Sequence, residues 1–147
     1  MFREITENDR DFYINTVKAF YNSDAVLHSI PDDYIVKTFE ELMHNDTYAQ
    51  AFIIEKDDKR AGYALLAKTF SQEAGGIVLW LDELYILPEF RSCGLGSAFL
   101  EFLKQIPDTA RLRLELCPSN KKACEVYKRQ GFENFGYAQM IYEKKEP

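Results

Sequence analysis

Apolar positions along the chain change period several times, and each change marks an element. Residues 2–5 read as a short strand. Thr6 with Asp9 has the form of a helix cap, and Phe12, Thr16, Val17, Phe20 and Tyr21 then recur at helical spacing until Asn22-Ser23-Asp24. Pro31-Asp32-Asp33 opens a second helix with Ile35, Phe39, Leu42 and Met43 on one face, closed by Asn45-Asp46. Two apolar strands follow, Tyr48 to Glu55 and Gly62 to Thr69, joined by the turn signal Lys56-Asp57-Asp58-Lys59. Gly75-Gly76 precedes a strand from Ile77 to Ile86. Phe99, Phe102, Leu103 and Ile106 then stand at i, i+3, i+4 and i+7, a helix stopped by Pro107-Asp108. Arg111 to Glu115 alternates charge with Leu112, Leu114 and Leu116, a strand with one buried face. Asn120 can cap a helix to Gln130, with Gly131 as its left-handed terminator. Phe132 to Glu143 reads as two last strands broken near Asn134-Phe135-Gly136. The order is that of an α/β layer arrangement, and 147 residues fit a single domain, 1–147.

Chemistry concentrates where the strand ending at Ile86 meets the helix beginning near Ser97. Between them runs Leu87-Pro88-Glu89-Phe90-Arg91-Ser92-Cys93-Gly94-Leu95-Gly96-Ser97, with Arg-x-x-Gly-x-Gly at its centre. Glycines there let the backbone approach a ligand and turn its N–H groups toward one point. The helix N-terminus behind them adds unpaired donors and partial positive charge, so the segment suits a phosphate or pyrophosphate. A dinucleotide fingerprint is excluded because its third glycine position is Phe99, and a P-loop because Gly96 is followed by Ser97 and Ala98 with no lysine. An ordinary strand–helix turn would use the same glycines for geometry alone.

Composition narrows the function classes. The net charge of −6 and pI near 5.0 weigh against nonspecific nucleic-acid binding. Cys93, Cys117 and Cys124 are odd in number with no Cys-x-x-Cys spacing, which suggests free thiols in a reducing compartment. No apolar run is long enough to span a membrane, and the N-terminus begins with charge, so a cytoplasmic location is expected. His28 and His44 lack metal-ligand spacing, and no metal is expected.

The loop after "LYILPEF", together with the downstream block "LELCPSNKKACEVYKRQGFE", resembles the two conserved blocks of the GNAT superfamily of N-acetyltransferases. The resemblance covers roughly residues 79 to 134 in motif and the remainder in layout. It implies a mixed, mostly antiparallel central sheet with helices on both faces. It also implies acetyl-coenzyme A as cosubstrate and a primary amine, on a small molecule or a protein, as acceptor. Nucleic acid and membrane are not expected partners, and homodimerisation is left open. Transfer of a longer acyl group, a non-catalytic coenzyme-binding module, and an unrelated nucleotide-binding fold are the rivals.

By the same resemblance, Arg91, Ser92, Cys93, Gly94, Leu95, Gly96 and Ser97 would hold the coenzyme chiefly through main-chain groups. Backbone N–H groups of Leu84, Tyr85 and Ile86 would meet the pantetheine arm and the thioester carbonyl. Tyr127, seven residues after Asn120, would protonate the departing thiolate, or is a core aromatic on an amphipathic helix. Asn120 would touch the coenzyme, or is simply a cap. A carboxylate would take the amine proton. Strand alternation puts Trp80, Asp82 and Leu84 on one face and Glu83 with Tyr85 on the other, so Asp82 ranks first, then Glu83. Glu115 matches a base position of some protein-acetylating members, or is a solvated charge.

Overall fold

In the computed structural model, which describes residues 1–144, five strands form one sheet in the order β1-β2-β3-β4-β5. They are β1 (Phe2–Glu4), β2 (Ala49–Lys56), β3 (Lys59–Ser71), β4 (Gly76–Ile86) and β5 (Arg111–Leu114). The first four pair antiparallel and β5 runs parallel to β4. Helices α1 (Arg10–Tyr21) and α2 (Asp32–His44) cover one face, α3 (Leu95–Lys104) and α4 (Lys121–Arg129) the other. The mixed, mostly antiparallel sheet between two helical layers agrees with the sequence expectation.

Period-2 alternation divides the core between the two faces. Ala51, Ile53, Tyr63 and Leu65 pack under Tyr13, Val17, Phe20, Ile35 and Phe39 of α1 and α2. Their neighbours Phe52, Ile54, Ala64 and Leu66 turn the other way, onto Phe99, Leu100 and Leu103 of α3. Burying each large side chain contributes roughly 1.5–3 kcal/mol, enough for these two layers to fix the register of β2 and β3. The β2–β3 hairpin turns on Asp57 and Asp58, at φ 52° and 61°; Asn and Asp are the non-glycine residues that best tolerate that region.

Alternation fails twice among the described residues: between β2 and β3, where Ile54 lies opposite Gly62 and Glu55 opposite Arg60 so that Ala61 is unmatched, and in β4. Leu65 lies opposite Glu83 and Leu66 opposite Leu81, so Asp82 is the unmatched residue of a β-bulge. The bulge moves the apolar phase of β4 by one position: Leu79, Leu81, Leu84 and Ile86 all face α3, while Glu83 and Tyr85 face α1. This corrects the sequence reading, which carried strict alternation through the strand and placed Asp82 beside Leu84. Opposite the end of β4, a Cβ on Gly62 would lie 2.2 Å from the Tyr85 carbonyl oxygen, so only glycine lets β3 approach there.

A second correction concerns the C-terminal segment. The two strands expected between Phe132 and Glu143 are absent from the described residues. Side chains anchor the segment instead of a ladder. Phe135 and Tyr137 meet edge to face at 5.0 Å, and Arg111 and Arg113 of β5 lie 4.8 and 4.6 Å from the Phe135 ring centroid. Tyr137 donates to Glu73 (2.7 Å), which also accepts from Arg111. Beyond that clasp Met140, Ile141 and Tyr142 are exposed.

Candidate active site

β4 and β5 are paired only from Val78 to Leu81 against Arg111 to Leu114. β4 then runs on to Ile86 alone, so among the described residues its edge from Asp82 to Ile86 has no strand beside it on that side. The bulge lies at the point of parting. Both parallel strands deliver their C-terminal ends to this opening, and each is followed by a connection into a helix N-terminus, α3 after β4 and α4 after β5. Open α/β sheets place ligands at such strand ends.

From β4 the chain passes through a 3-10 turn, Pro88–Phe90, into the glycine loop. Ser92 and Gly94 adopt φ 63° and 80°. The first intrahelical bond of α3 joins Ala98 N–H to the Gly94 carbonyl (3.0 Å), and the N–H groups of Leu95, Gly96 and Ser97 have no acceptor among the described residues. No acidic residue occupies the first turn of α3, so its positive end is not neutralised locally. Arg91 spans loop and strand: its Nε donates to the Ile86 carbonyl (2.8 Å) and its guanidinium lies 5.2 Å from the Tyr85 ring centroid. The exposed Cys93 thiol donates to the Phe90 carbonyl (2.8 Å).

The carboxylates separate by environment. Glu83, 8% exposed, accepts from Tyr63 at Oε1 (2.7 Å) and from Tyr21 at Oε2 (2.6 Å). Burial pushes its pKa up; the two phenol hydrogen bonds pull the other way, and the neighbouring Asp82 charge adds to the rise. Asp82 keeps solvent contact in the bulge. Its carboxyl is also raised, first by the protein that displaces water around it and then by the charge of Glu115. Glu115 is exposed just beyond β5. The three candidate bases therefore cluster where β4 and β5 part, and the bulge gives Glu83, not Asp82, the enclosed setting.

Tyr127 is half-buried on α4, its ring 5.8 Å from that of Phe132, and burial raises its pKa. Its hydroxyl has no partner among the described residues. Asn120 caps α4, its side-chain oxygen accepting from Ala123 N–H (3.2 Å). A cavity of about 700 Å³ opens between β5, α4 and the C-terminal segment; Glu115, Cys124, Tyr127 and Phe135 line it. It reaches neither the glycine loop nor Asp82 and Glu83. Among the described residues no group of His, Cys, Asp and Glu is arranged to hold a metal, and no helix is long and apolar enough to cross a membrane.

Sequence reasoning missed Gly62 and Tyr63, and it divided the aromatics Phe20, Tyr21, Tyr34, Phe39 and Trp80 between core and acceptor-groove rim without saying which belongs where. The contacts of Tyr21 and Tyr63 with Glu83 span 62 and 20 positions, which no local pattern reports. The bulge did leave a trace: leucines fall at odd positions before Asp82-Glu83 and at an even one after.

A parallel strand pair that opens onto a glycine loop and two helix N-termini defines an α/β protein with a ligand cleft at the strand ends. The profile of the acetyltransferase (GNAT) family matches residues 11–132, and the chain belongs to that family. A Bacillus subtilis (strain 168) protein named "Putative ribosomal protein bS18-alanine N-acetyltransferase" is 32% identical over 113 residues, 71% of this chain and 66% of that protein. The thialysine N-epsilon-acetyltransferase of Bos taurus is 28% identical over 81 residues, 53% of this chain and 47% of that protein. The chain thus matches about half the length of the bovine relative and just under two thirds of the bacterial one. A solved structure of the aminoglycoside N-acetyltransferase AAC(6')-Iy, bound to a bisubstrate analogue, superposes with a TM-score of 0.77 at 18% identity, covering 100% of this chain and 98% of the other. At that identity the likeness is one of fold.

Proposed function

We propose that this chain transfers an acetyl group from acetyl-coenzyme A to a primary amine by direct attack. The observation that carries the reading is the β4 edge, Asp82 to Ile86, which is unpaired among the described residues and runs into a loop whose helix donors have no acceptor among them. A pantetheine arm can lie along that edge as a strand would, hydrogen-bonding main-chain groups of Leu84, Tyr85 and Ile86. The pyrophosphate then meets the segment from Arg91 to Ser97, with Asn120 beside it at the start of α4. The thioester carbonyl is polarised by main-chain N–H groups of the same β4 stretch. Glu83, with its raised pKa, takes the amine proton, and Tyr127 protonates the leaving thiolate. Asp82 and Glu115 at the mouth attract a cationic acceptor. The acceptor classes in play are polyamine, aminoglycoside, amino acid and protein N-terminus; the family relatives named for thialysine and for an alanine of a ribosomal protein favour the last two. Three free thiols suit a reducing, cytoplasmic setting.

The reading is tested by thermal shift. Acetyl-coenzyme A at a hundredfold its Kd is expected to stabilise the protein by ~2.7 kcal/mol. Gly94→Val forces a β-branched residue to φ 80°, at roughly 1–2 kcal/mol of strain, and is expected to abolish most of that shift while circular dichroism stays native. An undiminished shift in the variant would remove the coenzyme from the Arg91 to Ser97 loop.

A further inference from the structure

Glu83 is a buried carboxylate held only by neutral groups. Tyr13 and Tyr21 of α1, Tyr63 of β3 and its own neighbour Asp82 surround it, and no lysine or arginine pairs with it among the described residues. A buried carboxylate without a cation is costly, and the missing positive charge is one an ammonium ligand can supply. Yet Glu83 is 8% exposed and each of its oxygens already accepts a phenol. The two phenols differ. Tyr63 is fully enclosed between the sheet and α1, whereas Tyr21, on the last turn of α1 beside the exposed Asn22, keeps a solvent-facing part. A proton arriving from the cleft therefore meets the Tyr21 hydroxyl before it can meet Glu83.

Resting on the acetyltransferase reading, we propose that Tyr21 is a catalytic residue that contacts the acceptor amine and relays its proton to Glu83. The ammonium N–H bond breaks as an O–H bond forms on Tyr21, while the original Tyr21 O–H bond breaks and its proton bonds to Glu83 Oε2. An ammonium and a carboxylate become a neutral amine and a carboxylic acid, and Tyr21 ends as it began. The 2.6 Å Tyr21–Glu83 hydrogen bond is already aligned for the second transfer. Tyr63 is a positioning residue, fixing Oε1 so that Oε2 faces Tyr21. The direction of the Glu83 shift agrees, since a raised carboxyl is the better proton acceptor.

The test is kcat/KM from thiol release for wild type, Tyr21→Phe and Tyr63→Phe between pH 6 and 9. Four acceptors represent the four classes: spermidine, neamine, thialysine and a peptide with a free N-terminal alanine. With the peptide, whose α-amine has a pKa of ~8, Tyr21→Phe is expected to fall about a hundredfold at pH 6.5 and to approach wild type at pH 9, where the amine arrives neutral. With side-chain amines of pKa ~10 the deficit should persist to pH 9. Tyr63→Phe should lose less, because it leaves the relay atoms in place. A Tyr21→Phe variant equal to wild type at every pH, or reduced by one constant factor at every pH, overturns the relay alone. A wild type inert toward all four acceptors overturns the acetyltransferase reading and the relay with it.

Discussion

Tyr127→Phe is expected to lower kcat by about 10²–10⁴ while leaving the protein folded. The hydroxyl has no hydrogen-bond partner among the described residues, so nothing structural is lost with it, and stability should change by less than about 0.5 kcal/mol. The ring stays, and with it the edge contact to Phe132 at 5.8 Å. Burial raises the phenol above its ordinary value of ~10, so it remains protonated, hence a donor, throughout the physiological range. A group that acts as the thiolate departs is felt in the transition state more than in the ground state, so KM for acetyl-coenzyme A should move little. Steady-state kinetics paired with urea unfolding separates this from a packing role. Full activity in Tyr127→Phe together with instability in Tyr127→Ala would return the residue to the core and leave water as the acid.

The largest expected stability effect lies far from that chemistry. Asp9 is fully buried and receives five hydrogen bonds: two from Arg3 (2.8 and 2.9 Å), one from Arg60 Nε (2.8 Å), and two from Thr6, through its backbone N–H (2.8 Å) and its hydroxyl (3.2 Å). Burial alone would raise its pKa, but the bonds from Arg3, Thr6 and Arg60 together hold it well below the carboxylate range. Asp9→Ala removes the centre of this network and leaves two arginines facing each other across β1 and β3. The arginines are partly exposed (side chains 30% and 40%), so the cost belongs at the low end for a broken buried pair, about 3 kcal/mol. Because the folded pKa is depressed, the stabilisation is complete above the unfolded value of ~3.9 and is lost as pH falls below it. Urea midpoints for wild type and variant should accordingly stand furthest apart near neutrality and converge toward pH 2. A constant separation over that range would show that Asp9 acts through packing and not through its charge.

Much of this architecture is written in local patterns. The apolar stripe Phe99, Phe102, Leu103 and Ile106 yields α3, the Lys56-Asp57-Asp58-Lys59 turn yields the hairpin, and Gly131 ends its helix at φ 93° as a left-handed terminator should. The glycine loop was legible because its chemistry is main-chain chemistry, carried by residue type and spacing. Long-range side-chain meetings were not. Asp9 reads as a cap, and its partner Arg60 is 51 residues away. Glu83 reads as a second-rank carboxylate because strict alternation hides the bulge that encloses it. Phe132 to Glu143 has strand composition, but the clasp of Phe135 and Tyr137 on Arg111, Arg113 and Glu73 decides its path, and that choice depends on β5 already being in place.

The chain has a single tryptophan, and its position carries a practical consequence. Trp80 sits on β4 two residues before the bulge, with the Arg113 guanidinium 4.0 Å from its ring centroid and the Phe135 ring 4.6 Å from the same guanidinium. A cation stacked on an indole alters the energy of its excited state, so tryptophan emission from this protein reports on the surroundings of one residue, this contact included. That contact bridges the two strands just before they separate. Any occupant that wedges β4 from β5, or lifts the C-terminal clasp, changes the indole's surroundings and is visible as a spectral change, with no label attached and no background from a second fluorophore of the same kind.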